Sequence, residues 1–174
     1  MRALSIRPAT PADIPAIAAI YGHHVRHGLA SFELDPPDEA ELARRQAEIL
    51  GRGLPYLAAM LDERLAGYAY AGPYRSRPAY RFAVEDSIYV DPSMTGQGVG
   101  RALLPALIAE CERRGLRQMI AVIGDSANRA SIGLHAGFGF VRIGTLPAIG
   151  FKFGRWVDSV LMQRALGPGD ATLP

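Results

Sequence analysis

Apolar positions at helical spacing run from Val99 through Leu103, Leu104, Leu107, Ile108 and Cys111. They predict a helix that ends at Gly115. A strand pattern, Arg81 to Val90, stands just before it and is closed by Pro92. Further strand patterns cover Leu4 to Arg7, Tyr56 to Leu61, Leu65 to Ala71 and Gln118 to Ile123, with a hairpin turn at Asp62 to Arg64. Ile14, Ile17, Ala18 and Tyr21 share one face of a helix entered at Thr10 and Pro11 and fading near His27. Leu42, Ala43, Ile49 and Leu50 form the inner face of a second helix, Asp38 to Gly51. Ser31 to Pro37, carrying Phe32, reads as a loop or short strand. Asn128 to Ala136 is a short helix. Phe140 to Gly144 and Ser159 to Gln163 read as a final hairpin pair, separated by a loop from Thr145 to Asp158. The chain beyond Arg164 reads as frayed.

The pattern predicts one α/β domain over residues 1–166, with 167–174 as a frayed tail. Its sheet is mixed, with helices on both faces, and the strand after Gly115 runs parallel to its predecessor. The 174 residues suffice for one core. A net charge of +2 argues against nucleic acid or an anionic membrane as partner. The single cysteine, Cys111, allows no internal disulfide and reads as a buried, inert thiol. No apolar run reaches about 18 residues, and no leader pattern opens the chain, so a cytoplasmic setting is expected. His23, His24 and His27 have helical spacing for a metal, but no acidic or thiol partner lies near, so they read as solvated and no metal is expected.

Between the strand and the long helix stands Thr95-Gly96-Gln97-Gly98-Val99-Gly100. A glycine-rich turn feeding a helix leaves backbone N–H groups converging on one spot, and the helix dipole adds positive potential there. The expectation is a phosphate-binding loop, against the plainer reading of a tight turn. No Gly-Lys-Ser/Thr ending follows, which excludes a nucleoside-triphosphate loop. The glycine spacing and its place deep in the chain exclude a dinucleotide fold.

This loop resembles the acyl-CoA-binding motif of the GNAT superfamily of N-acetyltransferases, with Thr95 where that motif has arginine or glutamine. The stretch from Asn128 to Phe140 resembles the segment after the fifth strand of the same enzymes, with His135 at a position often held by tyrosine. Val84 to Val90 and Gly144 to Gln163 are similar to the branch that acetylates phosphinothricin and methionine sulfoximine. The resemblance implies a mostly antiparallel sheet, acetyl-CoA as co-substrate, a small-molecule amine as acceptor and a homodimer. It implies that Ile88, Tyr89, Val90, Gly96, Gln97, Gly98, Val99, Gly100, Arg101 and Asn128 hold the cofactor.

An amine must lose a proton before it attacks a thioester. Glu85 is the candidate base, or else a strand glutamate paired with Arg75 or Arg81. Asp86 points to the opposite face of a regular strand and is the weaker candidate. His135 either assists proton transfer or packs against a carbonyl. An amino-acid carboxylate wants a cationic clamp; Arg75, Ser76, Arg77 and Arg81, with Glu85, Asp86 and Ser87, form the expected substrate wall. Phe151, Lys152, Phe153 and Trp156 read as an aromatic, basic loop that covers substrate or meets a second copy. Transfer to a different amine, and acyl-CoA sensing without turnover, stand as rival readings.

Overall fold

The computed structural model describes residues 4–174; the first three residues of the expected domain and of the leader reading lie outside it. Seven strands form one sheet: β1 (Leu4–Pro8), β2 (Tyr56–Leu61), β3 (Arg64–Pro73), β4 (Ala83–Val90), β5 (Gln118–Gly124), β6 (Val141–Lys152) and β7 (Arg155–Ala165). Their spatial order is β1-β2-β3-β4-β5-β7-β6, and β4–β5 is the parallel pair in an otherwise antiparallel sheet. Helices α1 (Ile14–His27) and α2 (Glu39–Gly51) precede β2; α3 (Val99–Arg113) crosses from β4 to β5, and α4 (Arg129–Gly137) links β5 to β6.

The sheet is buried on both sides by two cores. Leu103, Leu104, Leu107, Ile108 and Cys111 of α3 pack on Val84, Met119 and Met162, as the helical spacing predicts. Ile14, Ile17, Tyr21 and Val25 of α1 pack with Leu42 on Tyr56, Ala58 and Tyr68 of the other face. In α2 the inward turn falls on Leu42 and Gln46, while Leu50, expected inside, is 43% exposed. Leu50 sits at the helix end, just before the chain turns away at Arg52 and Gly53.

The loop expected from Thr145 to Asp158 is mostly strand. Pro147 and Gly150 break the alternation there, but the strand absorbs them in a bulge, with register shifts from Leu146 to Gly150 and Ala148 at φ 49°. The Asp158 carboxylate accepts the Ala148 N–H at 2.9 Å and satisfies the displaced backbone. The hairpin turns at Phe153 and Gly154, both at positive φ. The predicted frayed end is also held: Leu166 is fully buried, and Arg117 donates to the carbonyl oxygens of Gly169 and Leu173 at 3.1 Å each. The strand expected from Arg81 begins at Ala83, after a short turn Pro78–Tyr80.

Arg7 on β1 grips the buried Asp13 at the start of α1 with two hydrogen bonds of 2.7 and 2.8 Å, and the Thr10 N–H donates to the same carboxylate. The Arg7 hydrogen bond, opposed by burial and helped by Thr10, lowers the Asp13 pKa. Because the folded value lies below the unfolded one, this stability is present above the ordinary carboxylate range and lost as pH falls through the folded value. In urea unfolding at neutral pH, Asp13→Ala is expected to cost about 1–3 kcal/mol, and its gap from wild type should close on acidification.

Candidate active site

The site begins where the parallel pair ends. β4 and β5 are in register from Ala83–Gln118 to Asp86–Ala121 and no further. β4 nevertheless continues to Val90 and β5 to Gly124, each held on its outer edge by β3 or β7. The two inner edges therefore part into a wedge with Asp86 and Ala121 at its apex. A cavity of ≈ 650 Å³ fills the wedge, lined by Ser87 to Val90 on one side and Ala121 to Gly124 on the other. Main-chain N–H and C=O groups along these inner edges have no strand partner and are left to side chains, water or a ligand.

The glycine loop runs from the end of β4, through a short turn Pro92–Met94, to α3. Gly96 and Gly98 sit at φ 75° and 82°, where a side chain is strained, and Gly98 caps α3. The first N–H groups of α3, from Val99, Gly100 and Arg101, have no intrahelical partner. Gly100 lines the cavity, and a Cβ there would press on Leu134 of α4 at 3.2 Å. Among the loop residues expected to hold a cofactor, the Val99 side chain is buried in the core, so only its main chain is available. Gln97 and Arg101 are exposed. Asn128 lines the cavity; its Oδ1 accepts the Ser131 N–H at 3.1 Å and caps α4, which leaves its N–H₂ group as the donor.

Strand alternation sorts the β4 side chains. Glu85 and Tyr89 belong to the α1 face, and Asp86, Ile88 and Val90 to the α3 face. Glu85 is half-buried and lines the cavity. Burial raises its pKa, the Asp86 charge adds to this, and Arg75 opposes it. Neither Arg75 nor Arg81 forms an ion pair with it among the described residues, which removes the strand-pair reading. Asp86, the weaker candidate by sequence, is almost wholly buried and meets His135: Nε2 lies 2.9 Å from Asp86 Oδ2. His135 Nδ1 lies 2.7 Å from the Ser131 carbonyl oxygen. Burial pulls the His135 pKa down, but the hydrogen bond and charge of Asp86 outweigh it, so the net shift is upward.

The expected substrate wall divides. Glu85, Asp86 and Ser87 line the cavity, but Arg75, Ser76, Arg77 and Arg81 do not. These four are exposed on the outer surface. The Arg75 guanidinium lies 5.2 Å from the Tyr74 ring, and that of Arg81 lies 4.5 Å from the Phe82 ring. Each arginine finds a neighbouring π-face instead of the cavity.

Other lining residues were not found by sequence. His24, read as solvated, donates to the edge: its Nε2 lies 2.8 Å from the Val90 main-chain oxygen, which accepts. Tyr21 hydrogen-bonds Ser31 and Glu33 at 2.9 Å each, and Glu33 is held by Arg45 at 2.6 Å. These contacts fix the loop 28–37 as a wall of the cavity. Lys152, expected in an exposed loop, instead turns inward and donates to the Ser31 oxygen at 2.6 Å. The Phe32 ring abuts Gly124 and Gly150: an added Cβ at Gly150 would meet the ring at 2.4 Å, and one at Gly124 would meet the Leu29 oxygen at 2.1 Å with the ring at 3.1 Å. No periodicity marks such contacts; only the small size of Gly124 and Gly150 hints at them.

The sequence matches the acetyltransferase (GNAT) family over residues 21–140. It is 59% identical over 172 residues to phosphinothricin N-acetyltransferase of Alcaligenes faecalis, covering 99% of this chain and 87% of that one. It is 43% identical over 168 residues to the L-methionine sulfoximine/L-methionine sulfone acetyltransferase of Pseudomonas paraeruginosa, covering 94% and 95% of the two chains. The fold matches the crystal structure of a GNAT phosphinothricin acetyltransferase from Sinorhizobium meliloti in complex with acetyl-CoA, with a TM-score of 0.96 and 48% identity over 98% of this chain and 92% of that one. Parted parallel strands beside a glycine-capped helix, and relatives of this kind over nearly the full length, lead to one conclusion: the chain belongs to the GNAT family of acetyltransferases.

Proposed function

We propose that this protein moves the acetyl group of acetyl-CoA onto the α-amino group of a small amino-acid analogue of the phosphinothricin, methionine sulfoximine or methionine sulfone type. The observation that carries the reading is the parting of β4 from β5 beyond Asp86 and Ala121, beside the N-terminus of α3. The residues present fit the cofactor. Amides at the start of α3, with Gly96 and Gly98 in conformations that bring backbone forward, suit a diphosphate. Main-chain groups from Ile88 to Val90, which have no partner on β5, suit an extended amide-bearing arm, apart from the Val90 oxygen that His24 meets, and Asn128 adds a side-chain donor. Acetyl-CoA supplies an acetyl group activated as a thioester.

Glu85 takes the proton of the substrate ammonium. Its half-buried position and the neighbouring Asp86 charge raise its pKa toward the working range of a base. Holding amine and thioester together in the wedge contributes through positioning, about 7–11 kcal/mol in favourable cases. Backbone N–H groups from Ile88 to Val90 polarise the reacting carbonyl. Arg75 is the arginine whose charge reaches Glu85, where it opposes the upward shift, but it stands outside the cavity and is not assigned as the carboxylate anchor. The relatives' names support the acceptor class. A cytoplasmic setting belongs to the same reading, since it is where a free thiol such as Cys111 stays reduced.

A homodimer also belongs to this reading. β6 is the edge strand of the sheet, and Val141, Ile143, Ile149 and Trp156 on the last hairpin are each more than half exposed. An apolar edge of this kind is protected by pairing.

With phosphinothricin or methionine sulfoximine and a thiol reagent, wild type is expected to release CoA thiol. Glu85→Gln should lower kcat about 10²- to 10⁴-fold. Since only ionised Glu85 accepts the proton, kcat/KM should climb with pH through a Glu85 value above the ordinary carboxylate range, and that limb should vanish in the variant. Acetyl-CoA binding without thiol release from any of these amines would contradict the acceptor class. In sedimentation equilibrium the protein should run as a dimer and Ile149→Asp as a monomer; a monomeric wild type at micromolar concentration would refute the edge assignment.

A further inference from the structure

His135 is enclosed by acceptors. Its Nδ1 lies 2.7 Å from the Ser131 main-chain oxygen, which can only accept, so Nδ1 carries a proton. Its Nε2 lies 2.9 Å from Asp86 Oδ2, and the two side chains are 5% and 2% exposed. A bare Nε2 lone pair facing an ionised carboxylate at that distance, away from water, would be repulsive. The contact therefore holds a proton, on the ring as an imidazolium or on the carboxyl group beside a neutral ring. In both arrangements neither ring nitrogen offers a free lone pair to the cavity.

The Asp86 carboxylate is left with one open oxygen. Oδ1 is buried and without a partner among the described residues, on a side chain that lines the cavity at the apex of the wedge. The titratable groups that act on the pair are Glu85, next along β4 on the opposite face, and Cys111 from α3. The Phe140 ring meets His135 edge-on at 5.0 Å and adds no charge. The pair as a whole is neutral, and Glu85 is the acidic group left over.

The geometry points to Asp86 as a positioning residue that keeps a shared proton on its contact with His135, withdraws the imidazole from base catalysis, and leaves Glu85 as the sole acceptor of the amine's proton. This deepens the acetyl-transfer reading and rests on it for the identity of the amine. The protons balance as follows: the ammonium gives one proton to Glu85, its nitrogen lone pair bonds the acetyl carbon, the carbon–sulfur bond breaks with its electron pair on sulfur, and the second proton that the nitrogen sheds as the amide forms goes to that sulfur, giving the amide, CoA thiol and protonated Glu85. His135 gives and takes nothing in the attack. Asp86 with His135 fixes the field and shape at the apex, where Oδ1 accepts an N–H of whatever lies there.

Nitrogen-15 NMR of the histidine rings in the full chain without ligand tests this, with His135 assigned by comparison with His135→Gln. Between about pH 6 and 8 the wild-type Nδ1 should stay protonated, and Nε2 should be either protonated or show the shifted signal of a ring nitrogen accepting a hydrogen bond, never that of a free lone pair. In Asp86→Asn the shared proton is gone, and Nε2 should titrate within that range. A wild-type Nε2 with the signal of a free lone pair at neutral pH overturns the proposal without reference to any variant. In steady-state assays Asp86→Asn should lower kcat about tenfold or more, with the KM for acetyl-CoA changed less than about threefold, and should bring a histidine limb into the pH profile. An unchanged kcat and pH profile would also overturn it. The NMR result needs no turnover: a protonated pair in a protein that acetylates none of the amines supports the proton assignment and refutes the reaction.

Discussion

The structure depends on a hydrogen-bond ladder that stops. Parallel β4 and β5 pair for four residues and then diverge, although both strands continue. Closing the gap would satisfy the open backbone groups, but each strand is committed elsewhere. β4 is laddered to β3 from Val84 to Val90, and β5 to β7 from Gln118 to Gly124. The outer pairings hold the inner edges apart, so the wedge is a property of the whole sheet. α3 then places its N-terminal amides beside the open end, because the crossover between parallel strands must start where β4 finishes. The wedge and the fold thus follow from one constraint.

Strand alternation does the rest of the chemical sorting. Two carboxylates stand next to each other in sequence, Glu85 and Asp86, yet they belong to opposite faces and different environments. Asp86 is buried against His135 from α4, 2.9 Å from its Nε2. Glu85 looks toward the α1 face, where Tyr70 and Tyr89 are partly buried, and its own burial raises the cost of charge. The two adjacent acids thus differ in surroundings: Asp86 is buried against His135, and Glu85 is half-buried at the cavity. The wall 28–37 completes the enclosure through Tyr21, Lys152 and the Phe32 ring against two glycines.

Much of this was legible in the sequence because it rests on local physics. The α3 spacing, the glycine turn and the β4 strand are short-range patterns, and each lies where expected. Glu85, Asn128 and His135 were named from position and resemblance, and all three line the cavity. The misses share a cause: each depends on contacts distant in sequence. His24 reaches Val90 across 66 residues, and Lys152 reaches Ser31 across 121. The long β6 strand was hidden by Pro147 and Gly150, which the Asp158 carboxylate and a bulge accommodate. Asp86 was undervalued because facing away from Glu85 was read as facing away from the site, whereas the wedge opens at both faces. Arg75, Arg77 and Arg81 were overvalued because charge and proximity in sequence do not put a side chain in the cavity; all three are exposed, and neighbouring aromatic faces hold Arg75 and Arg81 outside.

The most direct measurement of the central claim is amide hydrogen exchange followed by NMR, with and without saturating acetyl-CoA. The parted-strand account predicts that exchange slows at the open-edge amides from Ser87 to Val90 and at those of Gly98 to Arg101, while the β1–β2 amides stay as they were. Unaltered exchange in both segments, with acetyl-CoA demonstrably bound, would place the cofactor elsewhere and contradict the account.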